Sequence, residues 1–241
     1  MTKGFFITGT DTGVGKTIVA AALIRFLRWM GFSVCAMKPV ESGCVRKGGA
    51  PVPSDGIFLR DAAGMSLDIS EVTPYALEAP LAPMVASNLE GVRIEPERIK
   101  RIFSGLAEKY DAAVVEGVGG LLVPIRRDYF VLDLIVDLGL PVVIVARPGL
   151  GTINHTLLTL RCALGAGARV AGIVINHPEE ADGPGKAAAD GLALRTNPDV
   201  LRQLAGVPII GVFPHLAETS GPALERAAAA SLDRDRLMSF F

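Results

Sequence analysis

Gly9-Thr10-Asp11-Thr12-Gly13-Val14-Gly15-Lys16-Thr17, near the start of the chain, has the composition of a loop that wraps a phosphate. Small residues let consecutive backbone N–H groups curl around the oxygens, and a helix starting at Lys16 adds the positive end of its dipole at the same point. In that arrangement the backbone from Thr12 through Gly13, Val14 and Gly15 to Ile18 cradles a nucleotide, Lys16 meets the β and γ oxygens, and Thr17 meets magnesium. The regular motif leaves four residues between its first glycine and Gly-Lys-Ser/Thr, whereas five separate Gly9 from Gly15, so this loop is a variant. Its position between an apolar run, Gly4 to Thr8, and an apolar helix gives the match its weight, and ATP or GTP is the ligand that it predicts.

Further groups that follow apolar runs could complete such a site. Glu116 precedes Gly117, Gly119 and Gly120, whose missing side chains leave room for substrate atoms. It reads either as a magnesium carboxylate or as a solvated strand end. Asp55 is a second carboxylate, and Ser54-Asp55 reads equally as the cap of a helix running to about Ala63. Nucleotide-bound magnesium keeps several waters and takes only one or two protein carboxylates, so these two suffice. Lys38 stands before Pro39, which keeps the backbone extended and fixes the direction in which the ammonium leaves the sheet. Together Lys16 and Lys38 could stabilise the charge that spreads over transferring phosphoryl oxygens, and either could hold a carboxylate or carbamate. The plain alternative for Lys38 is a lysine on the rim. Ser42 has no neighbouring base and reads as a hydroxyl donor, not a nucleophile. The helix start at Gly151, Thr152, Ile153 and Asn154 offers free N–H groups to a carboxylate. Asn176 carries an amide that either reads a purine edge or shapes a turn. His155, His177 and His215 show no metal-ligand spacing.

The elements that must position these groups are legible as alternating runs. Gly4–Thr8, Ser33–Met37, Ala112–Val115, Pro141–Ala146, Val170–Ile175 and Pro208–Val212 read as strands buried on both faces. Lys16–Met30 stops at Gly31, Glu95–Lys109 starts with Pro96, and Thr152–Ala166 stops at Gly167, each in keeping with a helix. The predicted fold class is α/β, a mostly parallel central sheet with helices on both faces, resembling P-loop NTPases, in which ligands sit beyond the carboxyl ends of the strands. Residues 1–241 read as a single such unit, with Gly43–Ser54 and His177–Lys186 as Gly/Pro-rich loops expected to be mobile and suited to act as lids.

Composition narrows the class of ligand. The 241 residues are half hydrophobic with a formal net charge of -1 and no basic block, which argues against nucleic acid and against an anionic membrane as partner. The longest apolar runs fall short of the ~18 residues that cross a bilayer. Cys35, Cys44 and Cys162 are widely spaced, which fits reduced thiols in a cytoplasmic protein better than a disulfide framework or a zinc site. The first strand begins so near Met1 that removal of a leader would destroy the phosphate loop.

Taken as an ordered set, the motifs resemble the dethiobiotin synthetase family nearly end to end. They are Gly9-Thr10-Asp11-Thr12 with Val14-Gly15-Lys16-Thr17, Lys38-Pro39-Val40 with Ser42-Gly43, Ser54-Asp55, Pro74-Tyr75, Glu116-Gly117 with Gly119-Gly120, and Gly151 with Ile153-Asn154-His155. The resemblance implies a cytoplasmic homodimeric ligase of biotin synthesis acting on Mg-ATP, CO2 and 7,8-diaminononanoate. It implies that Lys38 and Lys16 hold the carbamate and γ-phosphate, that Thr17, Asp55 and Glu116 surround Mg2+, and that Ser42 contacts the diamine. It further implies that Asn176 and His177 with Pro214, His215 and Leu216 meet the adenine, and that Gly151 to Asn154 bind the distal carboxylate from across the dimer. Gly13 stands where some members carry an acid, and Met84 stands where His is expected. The alternative is a dimeric switch ATPase of the partitioning or electron-donor type. Such proteins carry a signature lysine five residues before the invariant one, where this chain has Asp11. A GTPase would want Asn-Lys-x-Asp where Asn176-His177-Pro178-Glu179 stands, and a glutamine-dependent synthetase would need length for a glutaminase.

Overall fold

A computed structural model describes residues 2–177 and 188–241. In chain order the strands are β1 (Gly4–Gly9), β2 (Val34–Met37), β3 (Val40–Ser42), β4 (Val45–Lys47), β5 (Ala50–Val52), β6 (Tyr75–Leu77), β7 (Ala112–Glu116), β8 (Pro124–Arg126), β9 (Tyr129–Phe130), β10 (Val142–Ala146), β11 (Val170–Asn176) and β12 (Ile209–Phe213). The helices are α1 (Lys16–Trp29), α2 (Ser54–Ala63), α3 (Ile69–Val72), α4 (Pro83–Glu90), α5 (Pro96–Ala107), α6 (Val131–Leu138), α7 (Thr152–Gly165), α8 (Ala188–Leu204), α9 (Gly221–Ser231) and α10 (Arg234–Met238).

Six strands form one parallel sheet in the order β12-β11-β10-β1-β7-β2. Its central members are buried along their whole length, as continuous apolar runs such as Phe5-Phe6-Ile7 and Val142-Val143-Ile144-Val145 require when helices cover both faces. On the helices the apolar residues recur at helical spacing: Ile99, Phe103 and Leu106 form the buried stripe of α5. Helix α1 starts where Gly15 turns into the left-handed region at φ 88° and stops before Gly31 at φ 94°. From β1 the chain first builds β2 and β7 on one side and then β10, β11 and β12 on the other, so β1 lies at the switch of direction, where open α/β sheets bind ligands.

Register then decides which side chains become neighbours. Ile7 lies opposite Glu116 and Met37 opposite Val115, so the residues that leave the ends of β1, β2 and β7 emerge together. Gly117 N–H donates to Ile7 O and Thr10 N–H to Val145 O, which carries the pairing into the loops themselves.

Two expectations need correction. The segment Gly43–Ser54 is not an irregular loop, because β4 and β5 pair antiparallel within it and Arg46 ties the hairpin to Glu78 and to Gly49 O. Arms of three residues are too short to show a strand period in the sequence. Neither Ser54 nor Asp55 caps α2, whose N-cap position is occupied by Pro53. The second expected loop, 177–186, lies outside the described residues beyond His177. Among the described residues no helix is long and apolar enough to cross a membrane.

Candidate active site

The loop after β1 and the start of α1 form one wall of a cleft of about 680 Å3. Thr12, Gly13, Gly15, Lys16 and Thr17 line it on this side. Gly9 could carry no side chain here, because a Cβ would lie 2.9 Å from Asp11 O and from the Val14 side chain. The floor under the loop is Asn176, 3 % exposed, whose Nδ2 donates to Val14 O at 3.0 Å. A Cβ on Gly15 would fall 2.1 Å from that nitrogen. The amide therefore braces the phosphate loop from below and is spent on shaping it.

Lys16 is 6 % exposed and its Nζ donates to Asp11 O at 3.0 Å. Burial pulls its pKa down from the usual lysine range to about 8; Glu116 pushes the other way and Lys38 adds to the depression. Two cations thus face one space.

Lys38 leaves the end of β2 and meets Glu116 at the end of β7, as register demands. Its Nζ lies 2.5 Å from Glu116 Oε1 and 3.1 Å from Asp55 Oδ2, and also reaches Gly117 O at 3.4 Å. Burial alone would lower this lysine, but Glu116 and then Asp55 outweigh it and hold the ammonium above its ordinary value. Lys38 stays charged throughout the neutral range.

Glu116 is 1 % exposed; its Oε1 also accepts from Thr17 Oγ1 at 2.9 Å, while its Oε2 is buried without a partner. A buried carboxylate oxygen left unsatisfied marks a place for a cation. Thr17 Oγ1, Glu116 Oε2 and Asp55, whose side chain is 40 % exposed, form a donor set of oxygens, the chemistry that magnesium prefers. Among the described residues no three His, Cys, Asp or Glu cluster as a metal cage.

The opposite wall comes from β3, the segment before α4 and the first residue of α4: Ser42, Pro80, Leu81 and Pro83. Ser42 is half-buried and lines the cleft beside Glu41. Gly117 lies against Phe6, and Gly119, at φ 60°, turns the chain back past Val123. Ile18 sits half-buried in the first turn of α1.

Not every expected residue joins this cleft. Gly151, Thr152, Ile153 and Asn154 open α7 after β10 and do not line it. Gly151, at φ 88°, is the N-cap of α7, Thr152 is buried, and Asn154 is exposed. Asn197 Nδ2 holds the preceding turn through Pro148 O at 2.8 Å, an anchor from a distant helix that the sequence did not advertise. His177 follows Asn176 and donates its N–H to Phe213 O at 3.0 Å, which puts it beside the exposed Pro214 and His215 and half-buried Leu216. Strands β11 and β12, which these groups follow, lie on the opposite side of β1 from β2 and Lys38. Met84 faces a neighbouring pocket with Arg93 and Arg126 instead of the cleft.

Sheet order, a phosphate loop at the switch point and a lysine and threonine at the start of the following helix define a nucleotide-binding protein of the P-loop class. Solved structures agree on the fold: a ParA family ATPase from Chlorobium tepidum TLS matches with TM-score 0.54 and 16% identity over 99% of this chain and 92% of that one. The septum site-determining protein MinD from Pyrococcus horikoshii OT3 matches with TM-score 0.53 and 15% identity, over 95% and 96% of the two chains. An AAA domain family model matches residues 3–223. The ATP-dependent dethiobiotin synthetase BioD of Thermodesulfovibrio yellowstonii is 46% identical over 246 residues, 99% of this chain and 100% of the relative. That of Bacillus subtilis (strain 168) is 42% identical over 222 residues, 90% of each. The chain belongs to the dethiobiotin synthetase family.

Proposed function

We propose that this protein is an ATP-dependent ligase that carboxylates 7,8-diaminononanoate with CO2 and closes the ureido ring, giving dethiobiotin, ADP and phosphate, with residues 1–241 acting as one catalytic unit. The observation that carries the reading is the convergence of Lys16, Lys38, Thr17 and Glu116 on one cleft, in a chain that matches dethiobiotin synthetases end to end.

One substrate amine adds to CO2 and loses a proton, giving a carbamate. A carbamate oxygen attacks the γ-phosphorus, the bond to the β–γ bridging oxygen breaks, and ADP leaves a carbamic-phosphoric anhydride. The second amine attacks the carbonyl carbon, expels phosphate and loses its proton as the ring closes. Negative charge collects on the carbamate and phosphoryl oxygens, which is where fixed cations act most strongly. Lys38, kept charged by Glu116 and Asp55, holds the carbamate as a hydrogen-bond donor and does not serve as base. Lys16 takes the γ-phosphate, and backbone N–H groups from Thr12 to Ile18 take the remaining oxygens. Ser42 donates to the diamine. Thr17, Asp55 and Glu116 would hold Mg2+, which would supply positive charge to the phosphoryl oxygens. The adenine lies against Asn176, His177 and the segment Pro214 to Leu216, with Asn176 acting through the loop that it braces.

The protein works as a homodimer, in which Gly151 to Asn154 of one subunit bind the distal carboxylate of a diamine held in the cleft of the other. That these residues open a helix outside their own chain's cleft supports the arrangement. The deciding experiment supplies Mg-ATP, 13C-bicarbonate and 7,8-diaminononanoate, and follows phosphate together with label by mass spectrometry. Label in the ureido carbonyl, matched by phosphate, is the expected result. Phosphate release indifferent to the diamine would replace the reading with a switch ATPase.

A further inference from the structure

Glu41 has no part in the chemistry above, yet it is a carboxylate 5 % exposed at the middle of β3. Its oxygens are fully engaged. Oε1 accepts from Asp55 N–H at 3.0 Å and from Ser54 Oγ at 3.3 Å, and Oε2 accepts from Gly56 N–H at 2.9 Å. These are the donors that the first turn of a helix leaves unpaired. Pro53, at the N-cap position of α2, has no side-chain oxygen to meet them. The cap therefore comes from another element, and it is a full negative charge set against the positive end of the helix dipole. Burial pushes the Glu41 carboxyl above its usual range, and the Gly56 and Asp55 amides pull it back.

The capped turn carries Asp55, whose carboxylate reaches Lys38 at 3.1 Å. Lys38 in turn holds Glu116, and Glu116 accepts from Thr17. Strand β3 is itself tied down by its pairing with β6, where Glu41 lies opposite Ala76. A rigid strand thus fixes the one part of the donor set that stands on a short, otherwise uncapped helix.

We propose that Glu41 is a positioning residue, which caps α2 from outside so that Asp55 is held for the metal of the bound nucleotide. This rests on the assignment of Asp55 to the metal side of the site. Glutamine cannot replace it: one oxygen becomes an N–H2 group facing a backbone N–H, so one of the two amides loses its acceptor. Replacing residues that orient a ligand typically weakens metal binding by about tenfold or more.

The test measures Mn2+ bound in the presence of ATP by electron paramagnetic resonance, for the unaltered protein and for Glu41→Gln, Asp55→Asn and the double variant. Affinity for ATP without metal is measured alongside. The expected result is that Glu41→Gln weakens Mn2+ by about tenfold, leaves metal-free ATP binding within about twofold, and adds nothing once Asp55→Asn is present, because residues that act through one another are not additive. Unchanged Mn2+ affinity, or a double variant weaker than Asp55→Asn by the full Glu41→Gln factor, overturns the proposal. Should Glu41→Gln fail to fold, Glu41→Asp, charged but one methylene shorter, serves in the same comparison. Unaltered protein that binds ATP but no Mn2+ would instead remove the metal-site assignment itself.

Discussion

Burial leaves Lys16 with a pKa of about 8, and phosphate oxygens would restore its charge on binding. Binding of ATP should therefore take up about half a proton at pH 8 and close to one near pH 9.5, read by calorimetry in buffers of different ionisation enthalpy. Lys16→Met should abolish that uptake. The same depression opposes folding. Below about 8 the lysine is charged in both states and its burial is fully unfavourable, while between about 8 and the unfolded value of 10.5 the folded state sheds the proton and the penalty fades. Lys16→Met should thus stabilise the ligand-free protein by about 1–3 kcal/mol at pH 7 and by less at pH 10, in denaturant titrations at each pH. Glu116 behaves in the opposite way. Its removal leaves Lys38, 4 % exposed, facing Asp55 alone. Glu116→Ala should lower stability by about 1–3 kcal/mol, less than the full effect of stranding a buried charge because Asp55 still pairs with Lys38, again read by denaturant titration.

The phosphate loop is an element whose shape depends on two glycines that behave differently. At Gly15 both the backbone, at φ 88°, and the Asn176 amide, 2.1 Å from a Cβ, exclude a side chain. At Gly13 the backbone is also left-handed, at φ 75°, but a Cβ would meet open space. Gly15→Ala should abolish binding of a fluorescent ATP analogue, whereas Gly13→Ala should cost about 1–2 kcal/mol of stability and keep most of the binding. The sheet strands were legible in the sequence because runs such as Phe5-Phe6-Ile7 have no polar side to confuse the period, and their ends named Lys38, Glu116 and Asn176 as residues to watch. The β4–β5 hairpin was hidden by the shortness of its arms. Glu41 was hidden for another reason: it caps a helix from a strand outside it, and capping signals are local in sequence. The partner of Asn176 was equally out of reach, since Val14 lies 162 positions away.

The proposed dimer makes each active site a joint product of two chains. Lys16→Ala should inactivate the site on its own loop, and Ile153→Pro, which removes one of the N–H groups at the start of α7, the site on its neighbour. Mixing the two inactive proteins, with subunit exchange, should then restore about a quarter of the original sites, because each heterodimer regains one intact pairing. Activity that stays at the level of the separate variants would show that a single chain builds the whole site. The order of the sheet carries a different consequence, one that concerns biosynthesis. Strand β1 is made first but sits between β7 and β10, so its partners are Ala112–Glu116 and Val142–Ala146. At roughly 5–20 residues per second the ribosome needs on the order of ten seconds or more to supply them. For that interval Phe5-Phe6-Ile7, wholly apolar and destined for the centre of the sheet, has no strand to pair with. Long-range parallel pairing is slow to form even after synthesis. The nascent chain, more than the finished enzyme, is where this protein is exposed to aggregation and to chaperones, and nucleotide binding arrives too late to protect it.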